Sequence, residues 1–360
     1  MTSKHTGRIL LACCLAALLP QARASAERLG FSEVWAYLMA GEERYLTAEL
    51  PVTDVGYFGA GLNAYGKLVG VPGRAGLKGF GGRAHLVVAE VGNYALTHFV
   101  LDPRFPLRDA LVADIVAAAA PYDGVQLDFE AVPSEDYDNF FALLQLLRAG
   151  LPGKILSVAL PPRVNEKTDR FGYARIAATV DRVIVMAYDE HWSGSEPGPV
   201  ASLEWCRQVA AYALSKIPVE RLVMGAPFYG RAWGDKSLSR AYKYSSLATL
   251  LAEKGIGEVK RNEDIPFVEY VEAVTVRLFF DDAASTLRRL ALYRAASVRK
   301  VAFWRLGQED PAVWSGLGAL PEGAAPASSA PAPAAPSAPG LAPEQAAGGK
   351  GAEDPDKPAL

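Results

Sequence analysis

From residue 33 onward, short apolar runs alternate with longer amphipathic stretches. Eight runs read as strands, at 33–39, 54–60, 84–90, 124–129, 155–160, 182–187, 222–227 and 300–304. Several are continuously hydrophobic, as expected of strands covered on both faces. Between them, 107–117, 203–214 and 283–295 repeat apolar residues at helical spacing. After the fourth strand, Tyr137, Phe140, Phe141, Leu144 and Leu147 form one apolar stripe, with Gly150 at its end. Ser134 is placed to cap that helix, and Glu135 and Asp136 to favour its amino end. Strand and helix patterns in strict alternation predict an α/β chain folded as a (β/α)8 TIM barrel. Residues 235–281 break the alternation with a short helix and two β-rich pieces. They read as a small α+β insertion between strand 7 and the last helix, on the face where barrel loops are elaborated.

The ends differ from this pattern. Lys4 and Arg8 precede a short apolar run over 9–19, and Ala22-Arg23-Ala24 and Ala24-Ser25-Ala26 are small-x-small sites. Residues 1–24 therefore read as a cleavable signal peptide, the run being too short to span a bilayer. A lipobox-like Leu10-Leu11-Ala12-Cys13 offers lipoprotein anchoring as the alternative. Secretion, or export to a periplasm, follows from either. Residues 25–320 hold the barrel. The last segment, 321–360, is dominated by Ala, Pro, Gly and Ser and reads as a disordered tail. Of the three cysteines, Cys13 and Cys14 fall in the leader, and Cys206 sits in an apolar helical pattern as a core residue. The net charge of −3 over 360 residues supplies no basic excess for nucleic acid. No metal is expected, because His85, His98 and His191 are scattered and His5 lies in the leader. Gly79-Phe80-Gly81-Gly82 lacks the Lys-Ser/Thr of a phosphate loop and reads as a turn before strand three. No cofactor is called for, and a monomer is expected.

Candidate chemistry concentrates on the fourth strand, Asp123-Gly124-Val125-Gln126-Leu127-Asp128-Phe129-Glu130. Alternation sends Val125, Leu127 and Phe129 to one face and Gln126, Asp128 and Glu130 to the other. Two acids on the inner face of an apolar strand are costly unless paired or used. They stand at the strand's carboxyl end, where barrel enzymes work. A buried polar network that only fixes the strand is the competing reading.

Four motifs in order carry a resemblance. They are Asp123-Gly124 with Asp128-Phe129-Glu130; Met186-Ala187-Tyr188-Asp189; Gly225 through Arg231 (Gly-Ala-Pro-Phe-Tyr-Gly-Arg); and Phe303 through Asp310 (Phe-Trp-Arg-Leu-Gly-Gln-Glu-Asp). From about residue 34 to 310 the chain resembles glycoside hydrolase family 18, the chitinase family. His191-Trp192, Pro197-Gly198-Pro199 and Glu204-Trp205 are similar to its spore-cortex-lytic, peptidoglycan N-acetylglucosaminidase branch. The resemblance implies cleavage of β-linked N-acetylglucosamine in peptidoglycan or a chitin-like glycan, by a retaining route in which the substrate's acetamido group is the nucleophile. Glu130 would be general acid and base, Asp128 would hold the acetamido N–H, and Tyr188 its carbonyl oxygen. Asp123, Gln126, Asp189 and Trp304 would serve substrate binding, with Trp304 under the reacting sugar. Tyr37, Tyr229, Arg231, Trp192 and Trp233 are further subsite candidates. In one place the chain departs from the chitinase pattern: Gln126 stands where the family has an Asp that shares a proton with the next one, and an amide cannot ionise. A catalytically silent, sugar-binding barrel is the second reading, although silent relatives usually lose the glutamate. Endoglycosidase action on glycoproteins is a third.

Overall fold

The computed structural model describes residues 28–234, 239–271 and 275–319. The signal-peptide reading of 1–24 and the tail reading of 321–360 fall outside them. Eight strands build the barrel: β1 (Glu33–Met39), β2 (Asp54–Leu62), β3 (Arg83–Glu90), β4 (Gly124–Phe129), β5 (Ile155–Leu160), β6 (Arg182–Val185), β7 (Leu222–Pro227) and β8 (Lys300–Trp304). Each pairs in parallel with the next in sequence, and β8 pairs with β1 to close the ring. The predicted positions hold to within two residues. The sixth strand stops at Val185, short of the expected Ala187. Ala187 N–H bonds to Val185 O and Tyr188 N–H to Met186 O, so two successive tight turns bend the chain out of the ladder there.

The helices are α1 (Tyr94–Leu101), α2 (Leu107–Ala118), α3 (Tyr137–Gly150), α4 (Tyr173–Thr179), α5 (Leu203–Lys216), α6 (Leu247–Glu253) and α7 (Ala283–Ala295). Two differences from the ideal architecture stand out. No α-helix follows β1 or β2 among the described residues; 3-10 turns at Glu43–Tyr45 and Arg74–Leu77 and a short antiparallel return at Leu68–Val69 make those crossovers. And Ser134 does not cap α3. Residues Ser134–Asp136 wind as a 3-10 turn, and Asp136 precedes the helix with its carboxylate accepting from Asn139 and paired with His98 at 2.7 Å.

The insertion starts earlier than residue 235. Tyr229–Gly234 is already a strand of a five-stranded antiparallel sheet, paired with Ser239–Lys243 on one side and Thr275–Phe279 on the other. Tyr229 and Arg231 therefore sit in the insertion's first strand. Ile265–Val271 and Lys260–Asn262 complete the sheet, and α6 packs against it through Leu247 and Leu250. Leu29–Phe31 lies below β1 and pairs in parallel with Leu317–Ala319.

Burial follows the pleat. Val125, Leu127 and Phe129 of β4 face outward into the main core with Phe140, Leu144 and Leu147 of α3. That amphipathic face, rather than helix propensity, is what holds α3 in place. Cys206 is a fully buried member of this core and forms no disulfide. Inside the barrel, Trp35, Tyr37, Phe58, Val87, Ile184, Val223 and Ala302 make a second, smaller cluster. Below it the first inward residues of five strands are charged: Glu33, Asp54, Arg83, Arg182 and Lys300. Above it lies the mouth.

Candidate active site

Glu130 follows directly on β4, and its backbone N–H bonds to Glu90 O at 2.9 Å, fixing where the strand ends. Asp128, on the same face, is 5 % exposed, and its Oδ1 has no hydrogen-bond partner. A buried carboxylate oxygen without a donor is rare and costly, and it points to a missing partner. Burial raises the pKa of both carboxyls, and Asp128 and Asp189 push that of Glu130 up further. Like charges two residues apart on one strand cannot both ionise cheaply, so the pair retains a proton well above the usual carboxylate range.

Gln126 is fully buried and its amide contacts the Tyr37 hydroxyl, Oε1 at 3.1 Å and Nε2 at 2.8 Å. The amide at this position is thus spent on Tyr37, and Asp128 Oδ1 is left without a donor. Tyr37 leads into an aromatic group: its ring lies 5.6 Å from Trp304 and 5.5 Å from Phe58, and Phe58 meets Trp304 edge-on at 4.8 Å. Trp304 ends β8 and remains partly open to solvent. Phe58 was not among the sequence candidates, although its even spacing from Asp54 and Gly56 puts it on the inner face.

Tyr188 leaves β6 through the double turn and reaches over β7. Its pKa is raised by burial and by the nearby Tyr37, Asp128, Tyr229 and Glu130. Two glycines make the room. A Cβ on Gly225 would lie 3.1 Å from the Tyr188 ring and 2.9 Å from Val185 O, and a Cβ on Gly56 would lie 2.5 Å from the Tyr37 ring. Asp189 comes next with φ 59, a left-handed conformation that costs a non-glycine residue free energy. Its carboxylate accepts from Tyr229 Oη at 2.5 Å and stands 3.6 Å from Arg231. Burial raises the Asp189 pKa, and Tyr229 and Arg231 work against that rise. The insertion's first strand therefore locks onto the residue that follows Tyr188. Arg231 is itself buried, with its Nε unpartnered.

The β6 loop is clasped from behind. Glu190 accepts from Ser202 N at 2.6 Å and pairs with Ser202 Oγ at 3.0 Å, while Ser202 caps α5. Trp192 sits on this loop, and its carbonyl accepts from the Trp233 indole at 3.1 Å. Trp233 is buried against Phe279, so its ring holds the insertion to the loop rather than offering an open face. Asp123 is not part of the group. It precedes β4 at the far end of the barrel, about 23 Å of strand from Glu130, and accepts from Ala84 N at 2.8 Å to tie β3 to β4. The structure thus brings together Glu130, Asp128, Gln126, Tyr188, Asp189, Trp304, Tyr37, Tyr229 and Arg231, keeps Trp192 at the rim, and excludes Asp123.

A carboxyl with a raised pKa, a neighbouring carboxylate oxygen without a donor, a phenol and an indole thus meet at one barrel mouth. Residues 108–309, more than half of the chain, match the family described as glycosyl hydrolases family 18. The chain belongs to glycosyl hydrolase family 18. It is 28 % identical over 216 residues to the putative sporulation-specific glycosylase YdhD of Bacillus subtilis, covering 54 % of this chain and 49 % of that one. It is 26 % identical over 243 residues to the cortical fragment-lytic enzyme of Bacillus anthracis, covering 62 % and 56 %. The chain thus spans about half the length of these relatives. Two solved structures share the fold. The spore cortex-lytic enzyme SleL of Bacillus cereus superposes with a TM-score of 0.72 at 21 % identity, over 82 % of this chain and 76 % of that one. A chitinase from Chromobacterium violaceum gives 0.71 at 24 % identity, over 79 % and 98 %. The family-18 match begins at residue 108 and ends at 309, so β4 through β8 lie inside it, with every motif residue except Asp310.

Proposed function

We propose that this protein is an exported glycoside hydrolase that cleaves β-linked N-acetylglucosamine in peptidoglycan or a chitin-like glycan. The observation that carries the reading is the Asp128–Glu130 pair: one carboxyl held protonated by burial and like charge, beside one buried carboxylate oxygen that lacks a donor. Most retaining glycosidases use an acid and a protein nucleophile; family 18 is an exception in which the substrate supplies the nucleophile. Glu130 gives its proton to the leaving glycosidic oxygen as the acetamido carbonyl oxygen attacks the anomeric carbon. The acetamido N–H donates to Asp128, whose charge stabilises the oxazolinium ring that forms. Tyr188 donates its hydroxyl to the acetamido oxygen and aligns it. Glu130, now a carboxylate, takes a proton from the water that opens the ring and is restored. The indole of Trp304, with Tyr37 and Phe58 behind it, is the apolar floor for the sugar ring.

Gln126 fits this scheme as a positioning residue for Tyr37 rather than as a proton carrier. The amino-terminal charge, apolar run and small-x-small sites support export, and action as a monomer completes the proposal. The test is product analysis. Purified protein is incubated with peptidoglycan and with chitin oligomers, and new reducing ends are sought by mass spectrometry. Glu130→Gln lowers turnover by roughly 10²–10⁴-fold, and substrates without the N-acetyl group are inert. Binding without product in the wild type, or equal turnover by Glu130→Gln, refutes the reading.

A further inference from the structure

The amino-terminal end of the barrel carries charges that the mouth does not use. Glu33 is held by Arg182, whose Nε and Nη2 lie 2.9 Å and 2.6 Å from its oxygens, and by the Trp35 indole at 2.9 Å. Asp54 is held by two bonds from Arg83, at 2.7 Å and 2.8 Å, and is 2.9 Å from His85 Nε2. These four side chains neutralise one another across β1, β2, β3 and β6. Lys300, the corresponding inward residue of β8, is left over. The residue is 8 % exposed, and its side chain makes no hydrogen bond or ion pair among the described residues. Burial pushes its pKa down, and the more distant Glu33 only partly offsets this. Its ammonium opens only toward the cavity side, and an ammonium with little water around it favours an anion there.

The space for that anion is present. A cavity of about 960 Å³ opens in front of Lys300, on the flank where no α-helix follows β1 or β2. Five cationic side chains (Lys78, Arg83, Arg182, Arg299 and Lys300) line it against three anionic ones. The glycine-rich turn 79–82, which has no part in the mouth, forms one wall. Gly82 is required by close packing, since a Cβ there would lie 2.3 Å from Thr53 O. Gly81 faces no such limit; a Cβ there meets nothing within 4 Å. The N–H groups of Gly79, Gly81 and Gly82 donate no hydrogen bond among the described residues. The adjacent unpaired amides of Gly81 and Gly82, beside Lys and Arg, form an arrangement that takes phosphate oxygens. Leu46, Leu50, Val52 and Phe80 supply an apolar wall, and the volume is that of a small-molecule site rather than of a bare ion.

We propose that this cavity is a second binding site, at the opposite end of the barrel from Glu130, for a phosphate group, free or carried on a sugar. Lys300 and Arg299 neutralise the phosphate, the amides of Gly81 and Gly82 bind its oxygens, and the apolar wall covers the attached ring. The site is independent of the glycosidase reading. Isothermal titration at constant ionic strength tests it with three probes: inorganic phosphate, glucose 6-phosphate, and glucose as the neutral control. One-to-one saturation by a phosphate-bearing probe and none by glucose is expected. Glucose 6-phosphate binding more tightly identifies the ester as the source, and equal affinity identifies the free anion. Lys300→Met weakens binding by roughly tenfold or more, the worth of one charged hydrogen-bonding partner, and melts no lower than wild type without ligand. Arg299→Ala, at an exposed position, weakens binding with the fold undisturbed and serves if Lys300→Met does not fold. Glu130→Gln binds as wild type. No saturation by either phosphate probe at 10 mM (roughly 2.7 kcal/mol of affinity, below any useful site) overturns the proposal. So does unchanged affinity in both Lys300→Met and Arg299→Ala.

Discussion

Replacing Asp128 by Asn should move the titration of Glu130 to lower pH. The two carboxyls share the inner face of one strand two residues apart, a spacing of about 6.8 Å. At an effective dielectric of about 20, two unit charges at that distance repel by roughly 2.4 kcal/mol, which corresponds to about 1.8 pH units. Glu130 is partly open to the mouth, and an effective dielectric of about 40 would halve the effect. The expected fall is therefore about 1–2 units. It is not a return to the ordinary glutamate range, because burial, the larger cause of the rise, remains. The alkaline limb of kcat/KM, which reports loss of the general acid in the free enzyme, moves down by that amount, and kcat also drops as the acetamido group loses its acceptor. Because activity falls, a second readout is needed: the Glu130 carboxyl signal in ¹³C NMR of the unliganded protein across pH 4–10, in wild type and variant. An alkaline limb and a carboxyl titration that stay in place, or move upward, would show that the two groups are not electrostatically joined and would remove the argument for Glu130 as a poised acid.

Three further outcomes follow from the same geometry. The raised pKa of Glu130 means that the folded state binds its proton more tightly than the unfolded chain, so this stabilisation is complete below the ordinary glutamate pKa and is lost as pH rises through the folded value. Glu130→Gln should therefore melt close to wild type at pH 4 and above it at pH 9, by calorimetry; a variant that loses ground at high pH contradicts the assignment. Tyr188→Phe should lower kcat by roughly 2–10-fold, the worth of one hydrogen bond to a neutral acetamido oxygen, with an unchanged melting temperature, and a variant with wild-type kcat would exclude the phenol from the chemistry. Gly225→Ala should cost about 1–3 kcal/mol of stability by overpacking and displace the Tyr188 ring, visible as a lower midpoint in urea together with reduced turnover; full activity would mean that the ring does not depend on that gap.

Much of the fold was legible because barrel strands are buried on both faces and stand out as apolar runs. β4 and β7 were placed to the residue for this reason, and the alternation within β4 separated Asp128 and Glu130 from Phe129 without any coordinates. Periodicity fails where the chain turns instead of repeating. The end of β6 was overrun because Met186 and Ala187 are as apolar as the strand before them, and only the two tight turns tell them apart. The insertion starts late in the sequence reading because Tyr229-Gly230-Arg231 belongs to the same motif as the seventh strand, while its pairing in a separate sheet depends on partners 10 to 50 residues away. Asp123 was grouped with the site by its place in a motif, although its distance from the strand's carboxyl end argued the other way. The ionic ring at the barrel's base is the least legible part: Glu33 and Arg182 are 149 residues apart, and nothing local to either predicts the other.

The pairing of Leu29–Phe31 with Leu317–Ala319 has a practical consequence. Both ribbons hang under the barrel's base, side by side, on the far side from Trp304 and Glu130. A tether attached to either, whether a bead, a membrane linker or a fused module, holds the molecule by its underside and leaves the opening facing outward. Grafting through the insertion sheet instead would set the attachment beside the opening and narrow the approach of a polymer.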